Sequence, residues 1–285
     1  MSPAIRTALP EDSRACGQIC YDAFSAISAA HGFPCDFPAP QVAVGALSMM
    51  FSTPGFYCVA AEYEGRIVGS NCLDERSVVA GVGPITVDPA AQNLGIGRIL
   101  MQAAMDRANE QRSAGIRLVQ AGYHMRSLSL YAGLGFEVRE PLACMQGRTT
   151  ERSLSGCTVR SALQADRPAC NALSRRVHGF DRAAELAQAI QQGPAKVVER
   201  GGAITGYTTG LSMFGHAAAE TTLDLQSLIA SAESFAGPGI LVPSRHSALF
   251  RWCLQQGLRV VQPMTLMTLG LYNEPAGAWL PSIVF

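Results

Sequence analysis

The sequence lacks any apolar run long enough to cross a membrane, although 48% of its 285 residues are hydrophobic and only 15% are charged. A membrane-spanning helix needs about 20 consecutive apolar residues, and no segment approaches that length. The first residues also lack the basic segment followed by an apolar segment that marks a secretory signal peptide. We therefore expect no membrane partner and a cytoplasmic location.

An excess of charge of one sign is also missing. The chain has 22 basic and 22 acidic residues. The basic residues are scattered along the chain, and Lys196 is the only lysine among them. Since nucleic-acid binding depends on a basic patch or stripe, we expect no nucleic-acid partner.

The nine cysteines include no Cys-x-x-Cys pair, and their spacing matches no pattern of zinc ligands. Disulfides are rare in cytosolic proteins, so a disulfide framework is not expected either. We predict reduced thiols that act as small buried apolar groups, and no bound metal.

The chain contains an internal repeat. Residues 5–16 align with residues 159–170, with identity at six of the twelve positions, and each segment predicts a short strand, an Asp and an amphipathic helix. Residues 135–145 align with residues 257–267, and both follow a helix that stops at a glycine. Matches at both ends, in the same order, indicate two copies of one α/β fold.

The polar segment 147–156 is the predicted linker, so the two domains are expected at residues 1–147 and 157–285. In the first copy, antiparallel strands precede a β-α-β-α-β unit, and we therefore predict a mixed, mostly antiparallel sheet flanked by helices. The predicted helices are 11–29, 40–52, 95–113 and 125–133, and the predicted strands are 5–9, 56–64, 66–73, 78–88, 116–121 and 136–146.

The junction at residues 85–101 is the most informative segment of the first copy. The strand ends at Pro89, which cannot donate to a sheet, and a helix starts after two glycines, Gly95 and Gly97. Glycines let the backbone approach a ligand, and the free amides of a helix's first turn bind anions. The junction therefore suits a pyrophosphate, although a purely structural turn remains an alternative. A dinucleotide fingerprint, Gly-x-Gly-x-x-Gly, is absent.

At these residues the sequence resembles the GNAT superfamily of N-acetyltransferases. Residues 92–97, Gln-Asn-Leu-Gly-Ile-Gly, follow a Val-Asp-Pro strand end and match the family's Gln/Arg-x-x-Gly-x-Gly/Ala hallmark. A second hallmark is an aromatic residue in a short helix that runs into Gly-Phe, and it is found as Tyr131 before Gly135-Phe136. The resemblance covers residues 4–146 and continues more weakly over 157–285, as in tandem GNAT proteins with a degenerate second copy.

The resemblance implies an N-acetyltransferase that uses acetyl-CoA as co-substrate and transfers the acetyl group directly to an amine of a small molecule or a protein. It implies Tyr131 as the general acid that protonates the departing thiolate, whereas an isolated Tyr here would be an ordinary core residue. It also implies the residues that bind the cofactor, which are Thr86, Val87, Gln92, Asn93, Leu94, Gly95, Ile96, Gly97 and Arg98.

Two positions depart from the family pattern. His124 stands where many relatives have an Asn, and it either contacts CoA or caps the helix that follows. The strand over residues 79–85 has no acid, whereas several relatives place a glutamate there. Asp74 and Glu75 are the nearest carboxylates, and they are either the substrate-binding or proton-accepting acids or solvated charges of a turn.

The loop after the first helix is a rival source of the base, because such a loop walls the acceptor pocket in this family. Its candidate residues for that pocket are His31, Phe33, Asp36 and Phe37. A loop this rich in Pro and Phe equally suits a rigid packing lid.

The second copy has lost both hallmarks. Cys253 aligns with Tyr131, and no Gln-x-x-Gly-x-Gly turn occurs between residues 203 and 230. We therefore expect a non-catalytic domain that serves as sheet edge, pocket wall or homodimer surface, with the apolar tail 279–285 docked on it. The alternatives to an enzyme are a sensor that binds acetyl-CoA without turnover and a scaffold for protein contacts.

Overall fold

The computed structural model describes residues 3–283. The helices of the first half are α1 (Ser13–His31), α2 (Pro40–Ser52), α3 (Ile96–Glu110) and α4 (Met125–Ala132). Its strands are β1 (Ala4–Thr7), β2 (Phe56–Tyr63), β3 (Arg66–Asp74), β4 (Val79–Val82), β5 (Thr86–Val87), β6 (Gly115–Ala121) and β7 (Glu137–Gln146).

The second half repeats this order of elements with two differences: a single strand stands where the first half has β4 and β5, and a last strand is added. Its helices are α5 (Arg167–His178), α6 (Ala183–Gln192), α7 (Thr222–Ala230) and α8 (Ser247–Gln255). Its strands are β8 (Thr158–Ser161), β9 (Lys196–Arg200), β10 (Ala203–Thr208), β11 (Ala217–Ala219), β12 (Ile240–Pro243), β13 (Arg259–Gly270) and β14 (Ala278–Leu280).

The internal repeat is visible in the contacts that start each half. The Asp12 carboxylate accepts from the Leu9 amide at 2.8 Å and from Arg6 Nη2 at 3.0 Å. In the second half the Asp166 carboxylate makes the equivalent bonds to the Leu163 amide and to Arg160 Nη2 at 2.9 Å. Each Asp thus ties the first helix of its half to the first strand, and the arginine bond holds its pKa below the usual range.

The sequence-based strand over residues 78–88 was wrong in one respect, because the structure divides it into β4 and β5. Pro84 lies between the two parts and has no amide hydrogen to donate to a neighbouring strand. Gly83 precedes it with φ of +139°, a conformation open mainly to glycine. β4 pairs with β3 and β6, whereas β5 pairs with β3.

The strands form two sheets, and the larger one is built from both halves. Its order is β1-β2-β3-β4-β6-β13-β7-β12, with β5 attached to β3. The strand β13 of the second half thus lies between β6 and β7 of the first, and it is antiparallel to both. The smaller sheet has the order β14-β11-β10-β9-β8. The predicted mixed α/β architecture with two sheets is confirmed, and the two halves interleave rather than lying side by side.

The hydrophobic core also runs through both halves. One cluster of buried side chains joins Val79, Leu142 and Cys144 of the first half to residues of the second half such as Leu173 and Trp279. None of the helices within residues 3–283 combines the length and hydrophobicity that crossing a bilayer demands.

The apolar tail packs onto the second half as far as the structure describes it. β14 pairs with β11, and the Ile283 amide donates to the Met213 carbonyl at 2.6 Å. Val284 and Phe285, which the sequence places in the same docked tail, lie outside the described residues.

Candidate active site

A cavity of about 690 Å³ opens where two neighbouring strands of the large sheet separate. β4 pairs with β6 over only three residues, Val79–Gly81. Beyond Gly83 the chain leaves β6 and continues as β5, so a gap forms between β5 and the second half of β6. Residues 85–87 on one side and 118–121 on the other line this gap.

The edge of β5 that faces the gap carries a backbone amide. The Asp88 amide donates to the Val68 carbonyl of β3 at 2.8 Å. Because successive amides of a strand point in opposite directions, the Val87 amide points away from β3 and toward the gap. A ligand in the gap can therefore accept from Val87.

The loop from Gln92 to Gly97 lies at one end of the cavity. Asn93 and Gly95 both adopt positive φ, +72° and +77°, which turns the chain sharply into α3. The first hydrogen bond of full helical span runs from the Ile99 amide to the Gly95 carbonyl. The amides of the preceding turn therefore have no helical acceptor and are available to an anion. Of the predicted loop residues only Leu94 is absent from the cavity lining, because its side chain points to solvent.

Two arginines add positive charge at this end. Arg98 and Arg126 both line the cavity and are largely exposed. The Arg126 Nη1 donates to Gln92 Oε1 at 3.0 Å, which ties the first turn of α4 to the loop. The sequence analysis missed Arg126, although its place two residues after His124 could have suggested it. The positive end of the α3 dipole and two guanidinium groups make this end suited to phosphate.

Two buried polar atoms in the wall of the gap have no hydrogen-bond partner within residues 3–283. They are Thr86 Oγ1 and Gln120 Nε2. Gln120 Oε1 accepts from Ser127 Oγ at 3.0 Å, so the orientation of the amide is set and its NH₂ group remains unpaired. A buried donor without a partner costs about 1–3 kcal/mol, which a polar ligand would recover.

Tyr131 lies in α4 and lines the cavity. Its ring is buried against Phe136, and burial raises the pKa of the phenol well above its ordinary value. The hydroxyl has no hydrogen-bond partner within the described chain. Such a phenol stays protonated at neutral pH and can donate its proton to a ligand.

His124 also lines the cavity, at the start of α4. Its side chain makes no capping hydrogen bond to the helix, so of the two sequence-based readings the geometry favours contact with a ligand. Burial and the nearby Arg126 and His31 lower the pKa of His124, so its imidazole is neutral at pH 7.

Asp36 is the only carboxylate among the described residues that line the cavity. Its side chain is held by Gln262 of β13, whose Nε2 donates to Oδ1 at 2.6 Å. Only 6% of the residue is exposed, and this burial raises the pKa of the carboxyl above its usual range. An acid with a raised pKa in a cleft is the profile of a proton-accepting group.

The loop around Asp36 is packed against the end of β6. The Phe33 ring stacks on Tyr123 with centroids 4.3 Å apart, and His31 packs against the same ring. The Phe37 ring meets Phe24 edge-on at 5.5 Å. Phe37 of the loop lines the cavity and Phe33 does not, so the loop both packs against Tyr123 and forms pocket wall. His31, which the sequence placed in this loop, also lines the cavity but is the last residue of α1.

Asp74 and Glu75 lie elsewhere. Neither residue lines the cavity, and both are engaged by arginines. Asp74 Oδ1 accepts from Arg76 Nε at 2.8 Å, and Glu75 accepts from Arg107 at 2.7 and 3.1 Å. The structure therefore does not bring these two carboxylates to the other predicted site residues, because the turn that carries them faces α3 and the second half of the chain.

The second half contributes to the cavity wall. Met213 and Phe214 of the β10–β11 connection, Met264 of β13 and Ile283 of the tail all line it. Of the three roles that the sequence left open for the second copy, the structure shows two: pocket wall, and sheet edge through β12 at the end of the large sheet. No sequence pattern marks these residues, since they reach the cavity only through the interleaving of the sheet.

The equivalent features of the second half are occupied by its own side chains. Cys253 is completely buried in the core, and the Leu258 amide donates to its carbonyl at 3.0 Å, as the Phe136 amide does to Tyr131. At the start of α7 no glycine turn is present. Instead the buried Asp224 carboxylate accepts from the Thr221 amide at 3.1 Å, which leaves no room for a phosphate at this helix start.

Comparison with known proteins agrees with this architecture. Residues 25–136 match the Acetyltransferase (GNAT) family, whereas no curated protein matches the chain. A proposed acetyltransferase from Pyrococcus horikoshii superposes with a TM-score of 0.71 at 17% identity, over 98% of this chain and 94% of that one.

Two further solved structures resemble the whole chain. A GCN5-related N-acetyltransferase from Sphaerobacter thermophilus superposes with a TM-score of 0.63 at 15% identity, over 95% of this chain and 96% of that one. A tandem GNAT protein from the clavulanic acid biosynthesis pathway superposes with a TM-score of 0.59 at 14% identity, over 94% and 98%. At such identities the likeness shows a shared fold, which is that of a tandem GNAT protein.

Proposed function

Since the chain carries a domain of the GNAT acetyltransferase family, we propose that it transfers an acetyl group from acetyl-CoA to a primary amine. The observation that carries this proposal is the composition of one cavity. The anion-binding loop, the protonated Tyr131 and the buried Asp36 all line it.

The residues fit acetyl-CoA. The amides of residues 92–97, together with Arg98 and Arg126, suit the pyrophosphate. The unpaired Thr86 Oγ1 and Gln120 Nε2 suit the amide groups of the pantetheine arm. The Val87 amide, which points toward the gap, suits polarisation of the thioester carbonyl. When bound, acetyl-CoA supplies an acetyl group activated as a thioester.

Asp36 and Tyr131 divide the proton transfers between them. The amine attacks as its free base, after its ammonium form has given a first proton to solvent, and the Asp36 carboxylate takes the second proton as the nitrogen bonds to the carbonyl carbon. The Tyr131 hydroxyl gives its proton to the sulfur as the C–S bond breaks. Tyr131 and Asp36 then return to their resting states by exchanging a proton with solvent.

One such site per chain follows from the second half, where Cys253 and Asp224 occupy the equivalent positions. We infer that residues 157–285 form a non-catalytic domain that completes the pocket of residues 1–147.

Release of free thiol from acetyl-CoA over a panel of amines tests the proposal. We expect at least one amine to support release, and Tyr131→Phe to lower kcat by about 10²–10⁴-fold, as for loss of a general acid. The variant removes one hydroxyl from a buried ring, so its thermal stabilisation by CoA should equal that of the wild type. Stabilisation by acetyl-CoA without turnover of any amine would instead indicate a sensor, and an absence of stabilisation would contradict the cofactor assignment.

A further inference from the structure

The end of the cavity away from the anion-binding loop is apolar and is built from both halves of the chain. Its apolar wall is formed by Phe24, Phe37, Met50, Met213, Phe214 and Ile283. We propose that this end binds an amine with one positive charge and an apolar body, so that the chain acetylates apolar monoamines. The inference rests on the proposed function and specifies its acceptor.

The charge of the acceptor follows from the ionisable groups that line the cavity. Asp36 is the only carboxylate among the described lining residues, and the arginines among them, Arg98 and Arg126, belong to the loop end. An amino acid would bring its own carboxylate near Asp36 with no cation to offset it. A polyamine would bring a second charge into an apolar wall with no second carboxylate. One ammonium group therefore matches this end best.

Asp36 is oriented to receive that ammonium group. Gln262 Nε2 donates to Asp36 Oδ1 at 2.6 Å. The Tyr123 hydroxyl in turn donates to Gln262 Oε1 at 3.4 Å. Within residues 3–283 no hydrogen bond occupies the other oxygen, Oδ2. This oxygen is therefore available to the ligand, and its position depends on a glutamine from the second half.

The apolar body of the acceptor has a wall that the second half holds rigid. The turn that carries Phe214 is fixed by the bond from the Ile283 amide to the Met213 carbonyl. A Cβ on Gly215 would lie 2.2 Å from the Gly210 carbonyl oxygen, so the turn packs too closely to admit a side chain there. Phe214 nevertheless leaves 45% of its surface exposed, and it is one of the residues that line the cavity. A fixed, exposed aromatic ring in the same cavity as a buried carboxylate suits an apolar ligand.

The burial of Asp36 favours a small molecule over a protein amine. Only 6% of this residue is exposed, so an amine must enter the cavity to reach the carboxylate. A peptide with a free N-terminal amine is therefore included among the amines that are compared.

The acceptor class is tested with matched amines. 2-Phenylethylamine, phenylalanine, spermidine and a peptide with an N-terminal Phe are compared by kcat/KM at saturating acetyl-CoA. We expect 2-phenylethylamine to exceed each of the others by about tenfold or more, which corresponds to a difference of about 1.4 kcal/mol in transition-state binding. Equal or faster acetylation of any of the other three amines would overturn the proposed acceptor class, but it would still support the proposed acetyl transfer. Turnover of no amine would overturn the proposed function, and this inference with it.

The role of the wall is tested with Phe214→Ala and a control. Leu254→Ala removes a side chain of similar exposure, 44%, from the same half and outside the cavity. We expect Phe214→Ala to raise KM for 2-phenylethylamine by about tenfold, the loss of roughly 1.4 kcal/mol of apolar contact, and to leave the Kd of CoA unchanged. Leu254→Ala should change neither constant. Equal KM values for the two variants would overturn the assignment of Phe214 to the acceptor site.

Discussion

Burial acts in the same direction on two residues that have opposite tasks in the proposed reaction. It raises the pKa of the Tyr131 phenol, which keeps the proton that the leaving sulfur needs. It also raises the pKa of the Asp36 carboxyl, which brings this weak base closer to the strength that proton abstraction at neutral pH needs. The same physical cause thus prepares an acid and a base in one cavity.

The substitution Asp36→Asn should change catalytic activity and thermal stability in opposite directions at pH 8. A carboxyl whose pKa is raised on folding favours the folded state at low pH, and that contribution is lost as the pH rises through the folded-state pKa. Asn avoids this loss and still accepts from Gln262. We therefore expect the variant to melt at a higher temperature than the wild type at pH 8, with a difference that shrinks toward pH 4. Its kcat/KM should fall by about 10²-fold or more.

Thermal melts at several pH values and a pH–rate profile check this prediction. In the wild type, kcat/KM should rise as the pH passes through the raised pKa of Asp36. In Asp36→Asn this rise should be missing. A variant that is less stable than the wild type at pH 8, with an unchanged profile, would show that Asp36 has a structural role only.

At the scale of one element, the proposed cofactor site depends on the turn before α3. Gly95 has φ of +77° and open space around its missing Cβ. Gly95→Val places a β-branched residue in a left-handed conformation, which costs about 1–2 kcal/mol and distorts the amides of the loop. We expect the Kd of CoA to increase by about tenfold or more, as measured by calorimetry.

Gly65 provides the matched control. It lies in the β2–β3 turn with nearly the same backbone conformation, φ of +76°, and equally open surroundings. Gly65→Val should therefore lose similar stability and keep the wild-type Kd of CoA. If both variants bound CoA as tightly as the wild type, the loop would not be the cofactor site.

At the scale of the whole molecule, the interleaved sheet makes the two halves one folding unit. β13 lies between β6 and β7 and pairs with both, and one core cluster contains residues of both halves. We expect the full chain to unfold in one cooperative transition in calorimetry. Residues 1–147 alone should be insoluble or lack such a transition, because removal of β13 exposes two unpaired strand edges. A soluble fragment that melts cooperatively and binds CoA would contradict this expectation.

The sequence by itself determined the parts of this protein that depend on neighbouring residues. The mixed α/β fold and the tandem GNAT architecture follow from the internal repeat and from two short motifs. The turn at residues 92–97 could be recognised because positive φ and free helix-start amides are properties of a few consecutive residues. Tyr131 could be recognised because its motif spans a single helix and turn.

Only the tertiary structure decided which acid faces the cavity and how the halves combine. Asp36 is held by Gln262, 226 residues further along the chain, and Gln262 lies in β13, the strand of the second half that is inserted between β6 and β7. Asp74 and Glu75, nearer to the loop in sequence, instead pair with arginines. Pairing between distant strands leaves no local signature, because it depends on how whole faces pack rather than on the residues beside one another in the chain.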